Sequence, residues 1–288
     1  MKHIFLICLL VFPMIAVAQN SHDAFQSRYA EAAKEFGNGN YKDALEKYRA
    51  LLYSRETSAK EAAECFAKAC DCLVKLRRID DEIDEMSERA LKAHDGHWRV
   101  AQAVALRISG GINHGGHLAD GRFHRGYRRI SGGEWKNVFQ RDRAYSLKLL
   151  ADAMQVMEAD SNASRGDRHA FYSLMLDCLL KDFSDSFWKL QILTNLEKEP
   201  EWDYGNADDW SSSGAPVDEN GQPVFYKTPL NWHDAANDGE RFRWLLAAIA
   251  RNGYKDEAAY GYAKFLCSQF DISALYLNND NDLVKRLL

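Results

Sequence analysis

The fold is decided by a short stretch near the amino terminus, which reads Gly37-Asn38-Gly39-Asn40-Tyr41-Lys42-Asp43-Ala44-Leu45-Glu46-Lys47-Tyr48. Gly and Asn accept the left-handed conformation that ends a helix, so a preceding helix is expected to stop at the first four residues. Tyr41, Ala44 and Tyr48 then recur at steps of three and four residues, which places them on one face of a second helix. The stretch therefore predicts two helices joined by a tight turn.

The same rhythm continues along the chain, and the 288 residues include only 5 prolines to interrupt it. Five helices are predicted between residues 21 and 109, and the third of these is expected to run from about Ser58 to Lys75. Further helices are predicted at about 140–159, 167–181, 185–196, 235–251 and 255–270. We therefore expect an all-α fold.

Paired short helices with small residues at their crossings are typical of stacked helical-hairpin repeats. Ala32, Tyr41, Ala44 and Tyr48 resemble the tetratricopeptide family, in which such residues fill the turn, the close helix crossing and the groove of one repeat. The motif has an echo near the other end of the chain, in Gly253-Tyr254-Lys255-Asp256-Glu257-Ala258-Ala259. The resemblance implies a tetratricopeptide-like α-solenoid.

Two stretches break the helical rhythm and are expected to be insertions. The first is rich in Gly and Arg and is expected to be a pliable loop. The second is rich in acidic and aromatic residues and contains Asn220-Gly221, a pair that favours a type I′ β-hairpin turn. The expected organisation is a signal peptide at 1–18, tetratricopeptide-like helices at 19–109, the glycine- and arginine-rich insertion at 110–133, helices at 134–196, the acidic and aromatic insertion at 197–233, and helices at 234–288.

The first eighteen residues have the features of a secretory signal peptide. A short basic start is followed by a mostly apolar run at 4–15, and Ala16-Val17-Ala18 is a cleavage site of the small-x-small type. The apolar run is shorter than the ~20 residues that a membrane-spanning helix needs. We expect cleavage after Ala18, with an uncleaved anchor as the alternative. The mature chain is then exported to the periplasm or the extracellular space and has no transmembrane segment.

Charge and cysteine content narrow the class of protein. A net charge of −5 lacks the basic surface that general nucleic-acid binding needs. Five cysteines follow the signal peptide, an odd number that does not complete a disulfide framework. They are Cys65, Cys70, Cys72, Cys178 and Cys267. We expect the first three to be small buried hydrophobic residues, with one bridge to Cys178 or Cys267 as the open alternative.

The sequence contains no familiar catalytic motif. Gly-x-Ser-x-Gly, the phosphate-binding loop pattern and His-Glu-x-x-His are all missing. His114, His117 and His124 offer imidazoles, but the four arginines beside them would repel a metal cation. We therefore predict no enzyme activity, no cofactor and no metal. The alternative is a cell-envelope enzyme of unknown chemistry with its site between the two insertions.

The two insertions carry the candidate binding residues, which are predicted to contact a protein or peptide partner. They are Arg122, Arg125, Arg128, Trp202, Tyr204 and Trp210. Arginines suit an anionic group, and acids beside aromatic rings suit a carbohydrate or a peptide. We expect the two insertions to lie together as one functional face. Two alternatives remain open: the arginines pair only with acids of the second insertion, or each insertion is an independent surface loop.

Four passages carry a second resemblance. They are His97-Trp98-Arg99, Gly121-Arg122-Phe123-His124-Arg125-Gly126, Arg141-Asp142-Arg143-Ala144-Tyr145-Ser146-Leu147, and the run 214–224 followed by 237–244. In this order they resemble the N-terminal helical region of exported bacterial (planctomycete-type) proteins of the alpha-macroglobulin family. In that family the helical part precedes β-sandwich domains that engage proteases. The sequence shows neither the C-terminal β domains nor the Cys-Gly-Glu-Gln thioester motif, so we expect either a fragment of a longer protein, with those β domains missing, or a helical region that works alone. The resemblance therefore implies a binding or scaffold module without protease trapping.

Overall fold

The computed structural model describes residues 22–126, 128–181, 187–197, 217–222 and 224–269. Over these residues the chain is mainly helical, as the sequence predicted, with one small three-stranded sheet. It divides into two compact units. Among the described residues, unit 1 comprises 22–113 and those of 123–128, and unit 2 comprises 114–122 and those from 129 to 269.

The described part of unit 1 is built from five helices. They are α1 at 22–37, α2 at Tyr41–Leu52, α3 at Ala59–Lys75, α4 at Ile79–Ala93 and α5 at Trp98–Gly110. Helix α3 packs against α2, α4 and α5, so it lies at the centre of the unit. Each of the five lies where the hydrophobic periodicity predicted it, and the sequence-based prediction is confirmed for this region.

The pair α1 and α2 packs through the residues that the sequence singled out. Ala32 and Ala44 have no exposed surface, and Tyr48 is buried beside them. The Tyr48 ring meets Tyr29 edge-on with centroids 5.4 Å apart, and Tyr41 meets Phe36 at 5.2 Å. Edge-to-face ring pairs of this kind stabilise a contact beyond their buried area. Small residues at both helices therefore allow a close approach that the tyrosines then fill.

The cysteines of α3 are buried in this core. Cys65, Cys70 and Cys72 are free thiols with no exposed surface. Burial raises the pKa of Cys65 and of Cys70 to about 12, and the pKa of Cys72 to about 11. The thiols are therefore protonated at neutral pH and act as small hydrophobic residues, as predicted.

The described part of unit 2 contains four α-helices, each of which packs against the next in chain order. They are α6 at Phe139–Ala159, α7 at Arg165–Leu180, α8 at Asp238–Arg251 and α9 at Lys255–Gln269. Two short 3-10 helices lie between α7 and α8 in the sequence, at Phe187–Gln191 and Trp232–Asp234.

The helix predicted at 185–196 is wrong in its described part, where only one 3-10 turn forms. The residues after this turn bond to the start of α8 instead of continuing a helix. Asp238 N donates to the Ile192 carbonyl at 2.9 Å, Thr194 N donates to the Asp238 carboxylate at 3.1 Å, and Arg241 donates to the Thr194 carbonyl at 2.8 Å. These tertiary hydrogen bonds take the backbone groups that a helix would use.

The prediction of a pliable loop at 110–133 is also wrong, because this region forms two of the three short strands of the sheet. The strands are β1 at Gly115–Ala119, β2 at Arg122–Arg125 and β3 at Glu134–Asn137. Strands β1 and β3 pair antiparallel, with Gly115 opposite Asn137 and Leu118 opposite Glu134. Gly115 is needed because the Trp135 indole occupies the space that a Cβ would take. Asp120 and Gly121 both have positive φ, as in the two-residue type I′ turn that joins hairpin strands.

The turn predicted at Asn220-Gly221 is present, but its predicted type is wrong. Gly221 N donates to the Asp218 carbonyl at 3.0 Å, and only Gly221 of the pair has positive φ. The Asp218 side chain accepts hydrogen bonds from Asn220 N and Gln222 N, both at 2.8 Å. This capping favours a type I turn followed by a left-handed glycine. Within 217–222 and 224–226 the backbone forms a single bridge residue, Val217, and no longer strand.

The turn after α1 recurs after α3 and after α8 with the same backbone hydrogen bonds. In each, the left-handed residue donates to the carbonyl three residues back and the following residue donates to the carbonyl five residues back. This is the Schellman motif that ends many helices. The left-handed residues are Gly39 (φ 83°), Arg77 (φ 57°) and Gly253 (φ 92°). The sequence echo between the two ends of the chain therefore corresponds to one backbone turn.

Within the described ranges, no helix is both long and apolar enough to cross a membrane. The predicted signal peptide at 1–18, most of the acidic and aromatic insertion, and the segment beyond residue 269 lie outside the described residues.

Candidate anion-binding cleft

Three arginine side chains line a cleft of about 410 Å³ in unit 2. Arg165 and Arg168 come from the first turn of α7. Arg251, Asn252 and Gly253 come from the end of α8 and the turn that leads to α9. The cleft is largely open to solvent, and Arg165 and Arg251 are exposed.

A capping box positions the two arginines of α7. The Ser164 hydroxyl accepts a hydrogen bond from Asp167 N at 3.1 Å, and Ser164 N donates to the Asp167 carboxylate at 2.9 Å. These bonds satisfy backbone donors that a helix start leaves free. With the first turn fixed, Arg165 and Arg168 stand three residues apart and lie on the same face.

The turn after α8 holds the guanidinium of Arg165. Its Nε donates to the Asn252 carbonyl. Gly253 has a φ of 92°, and a Cβ at this position would overlap the guanidinium of Arg165. Gly253 is thus required for the left-handed turn and for the close approach of Arg165. The guanidinium also lies 5.6 Å from the centroid of the Tyr254 ring.

Arg168 and Arg251 are held by other neutral groups. Arg168 donates to the carbonyls of Glu158 and Asp160, both at 3.0 Å, where α6 ends. The guanidinium of Arg251 lies 5.5 Å from the centroid of the Trp244 ring, within the range of a cation–π contact. Backbone carbonyls and aromatic rings therefore position all three cations without neutralising them.

Among the described residues, none of the three cleft arginines forms an ion pair with a carboxylate. The carboxylate of Glu158 accepts a hydrogen bond from the Tyr172 hydroxyl. Burial and this hydrogen bond raise the pKa of Tyr172, whereas Arg251 and Arg168 act in the opposite direction. The positive field of the cleft therefore extends to Tyr172.

A second polar cluster near the start of α9 contains two carboxylates, those of Asp177 and Glu257. His169 lies 2.7 Å from the Glu257 carboxylate and stacks on Tyr254 with ring centroids 3.7 Å apart. Burial and the charge of Glu257 both raise the pKa of Asp177. This cluster contains its own carboxylates, which distinguishes it from the arginine cleft.

The structure places the predicted binding residues in different situations. Arg125 is only 7% exposed, and its Nε and Nη2 both donate to the Asp84 carboxylate at 2.9 Å. Its Nη1 donates to the Asn113 carbonyl at 3.0 Å, so this arginine connects β2 to α4 and to the segment that follows α5. Arg122 and Arg128 are exposed.

The three predicted aromatic binding residues, Trp202, Tyr204 and Trp210, lie outside the described residues. The composite face that the sequence predicted from them and from the arginines stays a prediction. Arg125 has a carboxylate partner, Asp84, in α4.

Two of the three histidines of the glycine-rich region, His114 and His117, take part in packing within unit 2, and His124 is exposed. His114 Nδ1 lies 2.7 Å from the Asp142 carboxylate, and its ring meets Phe139 edge-on at 5.1 Å. His117 meets Trp135 edge-on at 5.2 Å. The described part of the chain contains no group of three His, Cys, Asp or Glu side chains that could hold a metal ion.

The arginine cleft could not be predicted from the sequence because its residues come from the start of α7 and the end of α8, which are distant in the chain. Two signals were visible: Ser164-x-x-Asp167 is a capping-box pattern, and Gly253 belongs to the echoed turn. Neither signal indicates that the two segments meet.

No family model, no curated protein and no solved structure matches this chain. The geometry and chemistry of the chain itself are therefore the only basis for a functional proposal.

Proposed function

We propose that this protein is an exported helical-repeat module that binds a protein or peptide partner or acts as a scaffold, with no enzyme activity. The observation that carries the proposal is the recurrence of one helix–Schellman turn–helix unit at Gly39, Arg77 and Gly253. A single helical hairpin cannot bury its apolar face alone, so such units stack on their neighbours. Stacked hairpins of an α-solenoid offer extended surfaces, and these are commonly used to bind partners.

Exposed apolar side chains support a binding surface in unit 2. Leu230 is 92% exposed, Phe225 is 61% exposed and Ile192 is 60% exposed. All three belong to the segments between α7 and α8. A contiguous patch of exposed large apolar residues often marks an interaction site, and we propose that these three residues belong to such a patch. The chemistry favours a partner with apolar side chains, and the exposed Arg122 and Arg128 remain candidate contacts.

We also propose that the chain corresponds to the helical region of an alpha-macroglobulin-like protein. The passages that carry the resemblance coincide with structurally constrained positions. His97 caps α5 by accepting from Arg99 N at 3.3 Å, and the adjacent Trp98 has no exposed surface. Asn237 caps α8 by accepting from Glu240 N at 2.9 Å. A resemblance at such positions supports a shared fold and carries no activity with it.

Export is part of the same proposal, and mass spectrometry tests it. The protein recovered from the periplasm or the medium is expected to begin at Gln19. Recovery of the uncleaved chain in the membrane fraction would contradict export with cleavage.

Partner binding can be tested by affinity capture with matched variants. Wild-type protein, the double variant Phe225→Glu/Leu230→Glu and the control Leu106→Glu are each immobilised and exposed to an envelope extract. Leu106 is 61% exposed and lies in unit 1, so it controls for adding a charge to the surface. We expect proteins retained by the wild type and the control to be lost from the double variant. Identical retention by all three folded proteins would refute a binding surface at these residues.

A further inference from the structure

We propose that the arginine cleft of unit 2, formed by Arg165, Arg168, Arg251, Asn252 and Gly253, binds a phosphate-type oxyanion. The anion is either the free ion or the phosphate group of a small molecule. This inference is independent of the protein partner proposed above.

The charge of the cleft calls for an anion. Arginine remains protonated at every physiological pH, so the three guanidiniums cannot reduce their mutual repulsion by losing protons. No carboxylate lines the cleft. Elsewhere in the described chain, buried Arg125 pairs with Asp84 and buried Arg241 with Asp238, whereas Arg165 and Arg251 of the cleft are exposed and have no carboxylate partner among the described residues. A doubly charged oxyanion would supply the counter-charge that the protein itself does not provide.

The hydrogen-bonding groups of the cleft also suit an oxyanion. A guanidinium has five N–H donors, and Arg165 uses its Nε on the Asn252 carbonyl. Arg168 uses one bond from each Nη, to Glu158 and Asp160. Arg251 donates to no acceptor among the described residues and rests on the Trp244 ring. Each side chain is therefore anchored and still has donors for a ligand.

The donors of the cleft match the several oxygens of a phosphate group better than they match a monatomic counter-ion. The planar fork of arginine binds two oxygens of a phosphate at once, and several forks can bind different oxygens of one tetrahedral group. The anchoring contacts hold the side chains before the ligand arrives, which reduces the entropy lost on binding. A cleft of about 410 Å³ also leaves room for an organic group attached to the phosphate.

Isothermal titration calorimetry on the purified protein tests the inference, with inorganic phosphate and phenyl phosphate as the two probes. We expect saturable binding with one site per chain, weakened by added salt. Arg251→Gln should weaken it by roughly tenfold or more. Arg251→Lys keeps the positive charge but loses the planar fork of donors. Its affinity for phosphate should therefore lie between those of the wild type and Arg251→Gln. The control is Arg129→Gln, which removes the same charge from an exposed arginine outside the cleft.

The two probes distinguish the source of the anion. Tighter binding of phenyl phosphate identifies a phosphate ester as the ligand class, and equal affinities identify the free ion. Absence of binding by both probes at millimolar concentration, with the protein folded by circular dichroism, would overturn the inference. Equal weakening of phosphate binding by Arg129→Gln and Arg251→Gln would also overturn the inference. The weakening would then reflect the lower positive charge of the whole protein and not a site at the cleft. If Arg251→Gln does not fold, Arg165→Gln provides the same comparison.

Discussion

Replacing Gly39 by alanine tests the repeated turn on which the proposed architecture depends. Gly39 has a φ of 83°, and a Cβ added there would meet no atom within 4 Å. The effect of the substitution is therefore confined to the backbone. The left-handed conformation costs a residue with a Cβ roughly 1–2 kcal/mol. The smaller conformational freedom of alanine in the unfolded chain offsets about 0.4–1 kcal/mol of this. We expect Gly39→Ala to lower the free energy of unfolding by about 1 kcal/mol.

Gly37→Ala is the matched control, only two residues away. Gly37 is the last residue of α1, its φ is not positive, and an added Cβ there also meets nothing within 4 Å. Alanine is favoured over glycine in a helix by roughly 0.5–1 kcal/mol. The control is therefore expected to be as stable as the wild type or slightly more stable.

Urea unfolding followed by far-ultraviolet circular dichroism provides the measurement. For a small unit the free energy of unfolding falls by about 1–3 kcal/mol per molar urea, so a loss of 1 kcal/mol lowers the midpoint by about 0.3–1 M. The reasoning would be refuted if Gly39→Ala unfolded at the same urea concentration as Gly37→Ala. That result would mean that the backbone at Gly39 does not require a left-handed residue.

Three further substitutions probe other contacts. Asp238→Ala leaves its arginine partner on the next turn buried without a counter-ion, and we expect a loss of roughly 3–5 kcal/mol in urea unfolding. Ser58→Ala removes the cap of α3 and should cost about 1 kcal/mol at pH 7. Burial alone would raise the pKa of Glu61, but hydrogen bonds, chiefly from Ser58, hold it below its ordinary value. The stability from this carboxylate is present above its unfolded pKa and is lost as pH falls through its lower folded pKa, so the deficit of Ser58→Ala should shrink in acid titrations. Gly239→Ala places a Cβ inside the space of the Tyr226 ring, and this overpacking should lower the free energy of unfolding by about 1–3 kcal/mol. Limited proteolysis should then cut the segment around Tyr226 faster than in the wild type.

The helices could be predicted from the sequence because their signals are local. Helix α3 was expected from about Ser58 to Lys75, and it begins directly after the Ser58 cap and ends at Lys75. Hydrophobic spacing and capping residues contain that information within a few turns. The sheet was missed because the pairing of β1 with β3 depends on residues separated by the intervening chain. Strand formation depends more on such partners than on the composition of the strand itself.

The other wrong predictions have a related cause, because side chains form hydrogen bonds with backbone groups that the predicted structure would have used. The end of the predicted helix at 185–196 instead bonds to Asp238 and Arg241, which lie in α8. At Asn220-Gly221 the carboxylate of Asp218 binds two backbone N–H groups and selects a different turn from the one that the pair favours alone. The arginine cleft belongs to the same class, since the carbonyl that holds Arg165 comes from the turn after α8. Sequence spacing does not contain these tertiary contacts.

Two sets of arginines in the described chain differ in what holds them, and we relate this difference to stability and to the proposed binding. Arg125 and Arg241 are buried and hydrogen-bonded to Asp84 and Asp238, so their charges are compensated inside the fold. Burial lowers the pKa of Arg241, and Asp238 opposes that shift. Removing either partner of such a pair leaves an uncompensated charge in a poorly solvated place. The three cleft arginines are held by carbonyls and rings, which fix their position but leave their charge available. Contacts of this second kind fix a guanidinium without neutralising it, so its charge stays available to the anionic ligand that we propose.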